Sequence, residues 1–530
     1  MKKFIWTLIF MLCLVGQSAL AADFSKLVIL HTNDSHGFDM HVDGSVGMDG
    51  VAAYKKDLEA KGYDVVMLDG GDAIQDNNLV NFSFGKSAID FMNAIGYDAA
   101  AFGNHEFDYG QDILQQRVSE AKFPYLCCNV KVDATGKYLG QPTLVLNRPS
   151  GKIGIVGFST PETQVSTSPK NVFGLSFMEG KELYQEAQKQ IDKLKAEGCD
   201  LIIGLGHMGS EDGCMGNRSD DIIMNTKGLA MFVDGHDHRV KGKYYGNVLL
   251  AEAGCHTKNI GKITFDGSKW VGEMVNIDKW QAQDPVVTHI INQYNDQVQK
   301  HLGVKLGRSM QFMDASREPG VRTHEMPIGD FIADAYLWQA QQANVLKGKV
   351  HAAICNGGSI RSKLPKGIIK RFDIVSTAPF NNQLYVATIK GSKLLEIMEA
   401  ATSTLPDAMG ALPQVAGMEY VVDTRVPYAA AEKYPNSVFF APAKPGSRVT
   451  IKTVDGKPFD ANASYTVAMT EFLVLGGDNY GGLALPGAKE AGQSIGYVDA
   501  QAIENYLVTA LKGKLGPQYA QAQGRFTVIK

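Results

Sequence analysis

Short apolar runs recur through the first half of the chain, each cut off by glycine and a polar residue. Leu27–Leu30, Val65–Leu68, Ala99–Phe102, Leu201–Leu205 and Met231–Val233 are too short for helices and predict buried strands. Between them, Met48–Ala60, Ser87–Ala94, Gln111–Ala121 and Gly180–Lys195 read as helices. Strands alternating with helices from Leu27 to about Asp278 predict a layered α/β domain. Near Asp284 the pattern changes. In Pro285–Leu302 the apolar positions Val286, Val287, Ile290, Ile291, Tyr294 and Val298 follow the helical period, which predicts a connecting helix. From Gly303 a second domain is expected. Its helices include Ile328–Ala343 and Gly391–Thr402, and its strands Ala352–Cys355, Leu384–Ile389 and Ser464–Met469. Gly- and Pro-rich loops fill Gly410 to Pro445 and Gly476–Pro486. The expected division is 22–284, 285–302 and 303–530.

The length, 530 residues, agrees with two large cores rather than one. Hydrophobic residues make up 45% and charged residues 20%, as in a globular protein and unlike a disordered one. The first 21 residues are set apart. Lys2 and Lys3 precede an apolar run from Phe4 to Val15, and Ala19-Leu20-Ala21 offers a small-residue cleavage site. That is the pattern of a secretory signal peptide. The run is short for a membrane anchor, and Leu12 stands where a lipidated Cys13 would need a small neighbour. No later segment is apolar for long enough to span a membrane. The expected location is therefore outside the cytoplasm, most simply a periplasm. Taking Lys2 and Lys3 from the 52 basic residues leaves 50 against 56 acidic ones, a net charge of −6. With no long basic run, polymeric nucleic acid is excluded as a partner, while a single nucleotide is not. Six cysteines lie beyond the signal segment, too few for a disulfide scaffold. Cys127, Cys128 and Cys355 fall in apolar stretches and read as core residues, and Cys214 and Cys255, each in a loop after a metal motif, are open to pairing.

What ends the predicted strands gives the chemistry. Asp34-Ser35-His36, Gly71-Asp72, Gly103-Asn104-His105-Glu106, Asp108, Gly206-His207 and Gly235-His236-Asp237-His238 each follow an apolar run. Residues at the carboxyl ends of strands converge on one rim of a sheet, and mixed Asp, Asn and His donors suit divalent cations. Alone, Asp34 with His36 is an ordinary turn and Asp72 an Asp-Gly turn. The Asn104–Asp108 segment is more specific. Its Asn offers a neutral oxygen, and His105 and Asp108, three apart, allow the carboxylate to orient the imidazole if the segment is helical. Helix capping by Asn104 would explain one residue and leave two unexplained. With three further histidines behind glycines, the set predicts a two-metal hydrolase acting on phosphate esters.

The order NDSHG, GGDAIQ, GNHEFD, GHMG, GHDH resembles the calcineurin-like metallophosphoesterases, and among them the secreted 5′-nucleotidase family, over nearly the whole chain beyond the signal segment. The resemblance implies an N-terminal four-layer β-sandwich with flanking helices and a C-terminal α/β domain that binds nucleotide. It implies one metal held by Asp34, His36, Asp72 and His238, and another held by Asp72, Asn104, His207 and His236, with Asp72 bridging. His105 and Asp108 match the catalytic dyad. Zinc and manganese both fit such ligands. Some relatives carry Gln or Asn where this chain has His238, and a His there completes the site.

In the second half, Asn356-Gly357-Gly358-Ser359-Ile360-Arg361 follows an apolar strand, and glycines followed by an Arg suit an anion lying close to backbone. Phe380 and Phe472 lie in separate loops beside Asn or Gly-Asp and could clamp a flat base, with Asp478 accepting from ribose, but by themselves they read sooner as core residues and a turn. The resemblance selects the first reading. NGGSIR is similar to the family's NGGGIR and FLVLGGDNY to its FLxxGGDGF, which implies base stacking by Phe380 and Phe472. It also implies base, phosphate or ribose contacts by Asn356, Arg361 and Asp478, and a phosphate-facing Arg322. Glu325-Met326-Pro327 and Asn479 depart from the family pattern.

The expected reaction is hydrolysis of a nucleoside 5′-phosphate to nucleoside and phosphate. The same centre could serve a UDP-sugar or NAD pyrophosphatase or a 2′,3′-cyclic nucleotide phosphodiesterase, because the pocket and not the metal set decides between them. A two-domain nucleotide-binding protein without turnover is the remaining alternative. The complete ligand set with His105 and Asp108 argues against it.

Overall fold

The computed structural model describes residues 22–41, 44–210, 214–343, 348–484 and 492–530. The expected signal peptide, and part of the expected Gly476–Pro486 loop, lie outside the described residues.

The apolar runs become the central strands of two six-stranded sheets. In the first, Leu27–Thr32, Asp64–Asp69, Ala99–Ala101 and Tyr125–Leu126 run parallel, with Asn259–Phe265 and Trp270–Asn276 added antiparallel at one edge. In the second, Gly151–Gly157, Leu201–Leu205, Met231–Val233 and Val248–Ala253 are parallel, flanked by the antiparallel Thr143–Arg148 and Val240–Tyr245. Side chains alternate across a strand. Leu27, Ile29, Val66 and Leu68 therefore pack with Ile153, Ile203, Leu205, Met231 and Val233 between the two sheets. Val28, Leu30, Val65 and Met67 face the other way, onto helices Gly47–Ala60, Lys86–Ile95 and Pro285–Leu302. Phe232, Ile202 and Leu250 do the same for the second sheet, against helix Gly180–Ala196. The result is a helix–sheet–sheet–helix sandwich, and strands buried on both faces explain why their sequences are continuously apolar.

Helix Pro285–Leu302 begins as its sequence dictates, with proline in the first turn and the Asp284 carboxylate accepting from the backbone N–H of Val286 and Val287. It packs Val287 and Ile291 on the first domain. The second domain is built on a five-stranded sheet in the order Pro413–Ala416, Ala352–Asn356, Ser464–Thr470, Gln383–Lys390, Gly492–Val498. Helix Pro327–Ala343 covers one face, and Gly391–Ala400 lies on the other. The two domains touch through the ion pairs Lys433–Glu179, at 2.6 Å, and Lys170–Glu471.

Cys214 and Cys255 are both free thiols, so the bridge between them is not formed. Each has its own partners: Cys214 lies with Glu162 and His236, and Cys255 with His238 and His256. Among the described residues, no helix is long and apolar enough to cross a membrane.

Candidate active site

The ligand candidates sit on the loops just beyond the parallel strands. Asp34, His36, Asp72, His236 and His238 all have positive φ, between 49° and 92°. Such backbone is costly for residues other than glycine and persists only where the surroundings enforce it, commonly at functional sites. Here the loops brace each other. The backbone N–H of Asp34 donates to Gly71 O and that of His36 to Asp72 O, both at 2.9 Å. Glu106 then pins the site from below, accepting the backbone N–H groups of Asp72, Ala73 and Gly103 at 2.6 to 2.8 Å. A Cβ on Gly103 would lie 2.2 Å from Asp72 Oδ1, so only glycine lets these two loops meet.

Donor atoms converge in two overlapping groups. His36 Nε2 and His238 Nε2 face each other at 3.1 Å, with Asp34 Oδ1 at 3.3 Å from His238 and Asp72 Oδ2 at 3.7 Å from His36. In the other group, His207 Nε2 lies 3.0 Å from Asp72 Oδ2, and Asn104 Oδ1 lies 3.0 Å from His236 Nδ1. Asp72 Oδ1 accepts the backbone N–H of His105 at 2.8 Å, which leaves Oδ2 to face both groups. Asp34 Oδ1 also comes within 3.8 Å of His207 Nε2. Asn104 makes no helix-capping bond with its side chain. Ring orientation is set from behind: Nδ1 of His207 donates to Gly70 O at 2.7 Å and Nδ1 of His36 to Gln75 O at 3.1 Å, so Nε2 is presented inward.

The electrostatics fit divalent cations. Burial, then the charges of His105 and Arg361, hold His36 well below the usual imidazole pKa; burial, then Arg317, does the same for His238. Both rings are neutral and ready to ligate. Burial also opposes charge on His207, but Asp72 and Asp34 outweigh it and hold the ring well above its ordinary value. His236 is likewise raised to about 9, Glu162 overcoming burial. Burial would raise Asp72, yet His207 and His105 hold it below the usual carboxylate range. His207 Nε2 is fully buried and, although the Asp72 oxygen is near, makes no aligned hydrogen bond. A nitrogen in that condition, beside the Asp34 and Asp72 carboxylates, suits a metal ion whose charge replaces that of a proton.

His105 opens a 3₁₀ turn, His105–Phe107, and its Nδ1 bonds Asp108 Oδ2 at 2.6 Å. Thr167 donates to the other Asp108 oxygen at 2.7 Å. Burial lowers the His105 pKa, but Asp108 and Asp72 outweigh it, so the net shift is upward.

A cleft of about 740 Å³ joins this centre to the second domain; Asp72, Asn104, His105, Asp108, His236 and His238 line one side, and Arg322, Asn356, Arg361, Phe380, Phe472 and Asp478 the other. Asp34, His36 and His207 are fully buried. Asn356 donates to Asp478 Oδ2 at 2.7 Å, and the Asp478 backbone N–H reaches across to Val165 O at 2.7 Å. Arg322 Nε is buried without a hydrogen-bond partner. Phe472 is buried, while Phe380 stacks on His105 with ring centres 5.9 Å apart and carries the Arg361 guanidinium carbon 5.6 Å from its own centre. Asn479 points away from the cleft, donating to Ala400 O and Ser403 Oγ.

Several residues escaped the sequence reading. Glu162 holds His236 Nε2 at 2.8 Å and accepts from the Cys214 thiol at 2.9 Å. It follows the strand Gly151–Gly157, so the strand-end logic that found the histidines would have reached it. Arg317 Nη1 donates to His238 Nδ1 at 3.2 Å, and Asp76 pairs with Arg361. No local pattern announces those two.

Residues 27–240 match the family model described as calcineurin-like phosphoesterase, and residues 305–484 the one described as 5′-nucleotidase, C-terminal domain. A snake venom 5′-nucleotidase of Naja atra is 28% identical over 94% of this chain and 98% of its own. A 5′-nucleotidase of Vibrio cholerae is 27% identical over 91% of this chain and 90% of its own. The crystal structure of a 5′-nucleotidase precursor from Thermus thermophilus superposes with a TM-score of 0.77 at 25% identity, covering 95% of this chain and 99% of that one.

Proposed function

The chain belongs to the 5′-nucleotidase family, with an N-terminal calcineurin-like phosphoesterase domain and a C-terminal 5′-nucleotidase domain, and from that premise we propose that it hydrolyses nucleoside 5′-phosphates to nucleoside and phosphate. The observation that carries this reading is the convergence of buried Asp, Asn and His donor atoms beside the His105–Asp108 pair, in a cleft shared with Arg361 and Arg322.

In this reading residues 22–284 do the chemistry, 303–530 select the substrate, and Pro285–Leu302 connects them. Asp34, His36, Asp72 and His238 would hold one divalent cation, and Asp72, Asn104, His207 and His236 the other, zinc or manganese. Such a pair supplies the Lewis acidity that neutralises phosphoryl oxygens and makes a nucleophile from water at neutral pH. Asp108 fixes the tautomer of His105 and aims its Nε2 into the cleft, where it stabilises charge on the leaving oxygen or protonates it. Arg322 and Arg361 face the phosphate, Asn356 and Asp478 the ribose or base, and Phe380 and Phe472 the base. Residues 1–21 serve export to the periplasm.

The test is a substrate panel of AMP, UDP-glucose, NAD, a 2′,3′-cyclic nucleotide and bis-p-nitrophenyl phosphate, run before chelation, after it, and after zinc or manganese is restored. AMP turnover that is lost and regained with the metal supports the proposal. Preference for UDP-glucose, NAD or the diesters replaces it with the alternative activity on the same centre. No turnover of any member by metal-loaded protein points to the binding protein instead.

A further inference from the structure

Asp76 stands out behind Arg361, which lines the cleft. It lies four residues after Asp72, in the first domain, and its φ of 122° is a conformation ordinarily left to glycine. Its Oδ2 accepts from both Nε and Nη2 of Arg361, at 3.0 and 2.8 Å, across the domain boundary. Both side chains are 5% exposed. A residue held in unfavourable backbone, presenting a buried carboxylate to one particular arginine, implies a role that offsets the cost.

The surrounding contacts show what that role is. Asn81 clamps the Asp76 backbone from both sides: its Oδ1 accepts the Asp76 N–H at 3.0 Å, and its Nδ2 donates to Asp76 O at 2.8 Å. Tyr109 OH in turn donates to Asn81 Oδ1 at 2.6 Å. From the same short loop, Asn78 donates to Phe372 O at 3.0 Å and to Ser376 Oγ at 2.8 Å in the second domain. Residues 76–81 thus grip, from the first domain, the segments that carry Arg361 and lead to Phe380. Of the five N–H donors of a guanidinium, this grip engages one on Nε and one on Nη2 and leaves the rest for an anion.

We propose that Asp76 is a positioning residue for Arg361, holding the arginine side of the phosphate subsite in place from across the domain boundary. The inference rests on the proposed function for the identity of the anion, a phosphate group. Asp76 itself touches no substrate. It acts by fixing the direction of a long, flexible cation that would otherwise sample many rotamers.

The test is a double-mutant cycle read by calorimetric binding of inorganic phosphate to metal-loaded protein, with metal content and AMP kinetics measured alongside. Asp76→Asn and Asp76→Gly should each retain two metals and bind phosphate about tenfold more weakly, with KM for AMP rising in parallel and kcat little changed. Asp76→Glu should recover part of the loss. In an Arg361→Gln background, Asp76→Asn should have no further effect, because a positioning residue has nothing left to position. Unchanged or tighter phosphate binding in Asp76→Asn and Asp76→Gly overturns the proposal, the tighter result meaning that the carboxylate merely competes for Arg361. Full additivity with Arg361→Gln overturns it too. If the cycle holds for phosphate while AMP is not hydrolysed, the proposed function fails and the positioning role stands.

Discussion

His105 Nδ1 lies 2.6 Å from Asp108 Oδ2, and Thr167 occupies the other oxygen of the same carboxylate, so the imidazole is fixed in one orientation with Nε2 toward the cleft. His105 bonds Asp72 only through its backbone N–H. A group placed so should matter to the chemical step and not to metal retention. His105→Ala should lower kcat by about 10²–10⁴, the usual worth of a positioned acid or charge stabiliser, with metal content unchanged. Loss of a metal equivalent on elemental analysis would make His105 a ligand instead.

Asp72 differs in kind, since its Oδ2 faces both donor groups. Asp72→Ala should lose activity and metal together, because both cations would be left a ligand short. A folded Asp72→Ala protein with its full metal content removes Asp72 from the bridging position.

Much of this was readable because it is local. The strands Leu201–Leu205 and Met231–Val233 and the helix Pro285–Leu302 have the bounds that their apolar patterns predict, since burial on two faces and a capped amphipathic face both leave a mark in sequence. The strand Val240–Tyr245 left none, because as a sheet edge it keeps polar, partly exposed side chains. The same division holds at the centre. Asp34, His36, His207 and His236 were visible as strand-end motifs. The positive φ of Asp34, His36 and Asp76, and the pairing of Asp76 with Arg361 across 285 residues, are set by tertiary contacts that no short window contains.

Glu162 stands behind His236, one of the candidate ligands. A carboxylate behind a ligating imidazole fixes the ring and strengthens it as a donor, and its loss typically weakens metal binding by about 10–100-fold. Glu162→Gln keeps the shape and removes the charge. It should lower the affinity for the second metal equivalent in a competition with a chromophoric chelator, while kcat at saturating metal changes little. An unaltered chelator titration would confine Glu162 to structure.

His31 gives a prediction about acid stability. It is fully buried with neither ring nitrogen bonded, and burial pushes its pKa down from the ordinary 6.5 to about 4. The unfolded chain takes up a proton as pH falls through 6.5, whereas the folded ring does not until about 4. The stability is therefore complete above pH 6.5 and lost progressively between 6.5 and 4, by roughly 3 kcal/mol at the lower end. His31→Phe should flatten that part of the stability–pH profile relative to the wild-type protein. Superimposable profiles would show that His31 is not the group responsible.

Phe380 and Phe472 decide whether the cleft recognises a base. Phe380 lies against His105, with its ring centre 5.9 Å from the imidazole. Phe472 is more deeply set, at 8% exposure, and its replacement by alanine would cost core packing as well as any base contact. The informative pair is therefore Phe380→Ala and the milder Phe472→Leu. If both rings hold the base, KM for AMP should rise by about tenfold or more in each, consistent with about 1–3 kcal/mol per stacked base. p-Nitrophenyl phosphate, which lacks a nucleobase, should be hydrolysed nearly as before. Equal losses on the two substrates would assign the rings to packing. A faster reaction with p-nitrophenyl phosphate in Phe380→Ala alone would show that the ring obstructs His105 in the empty cleft.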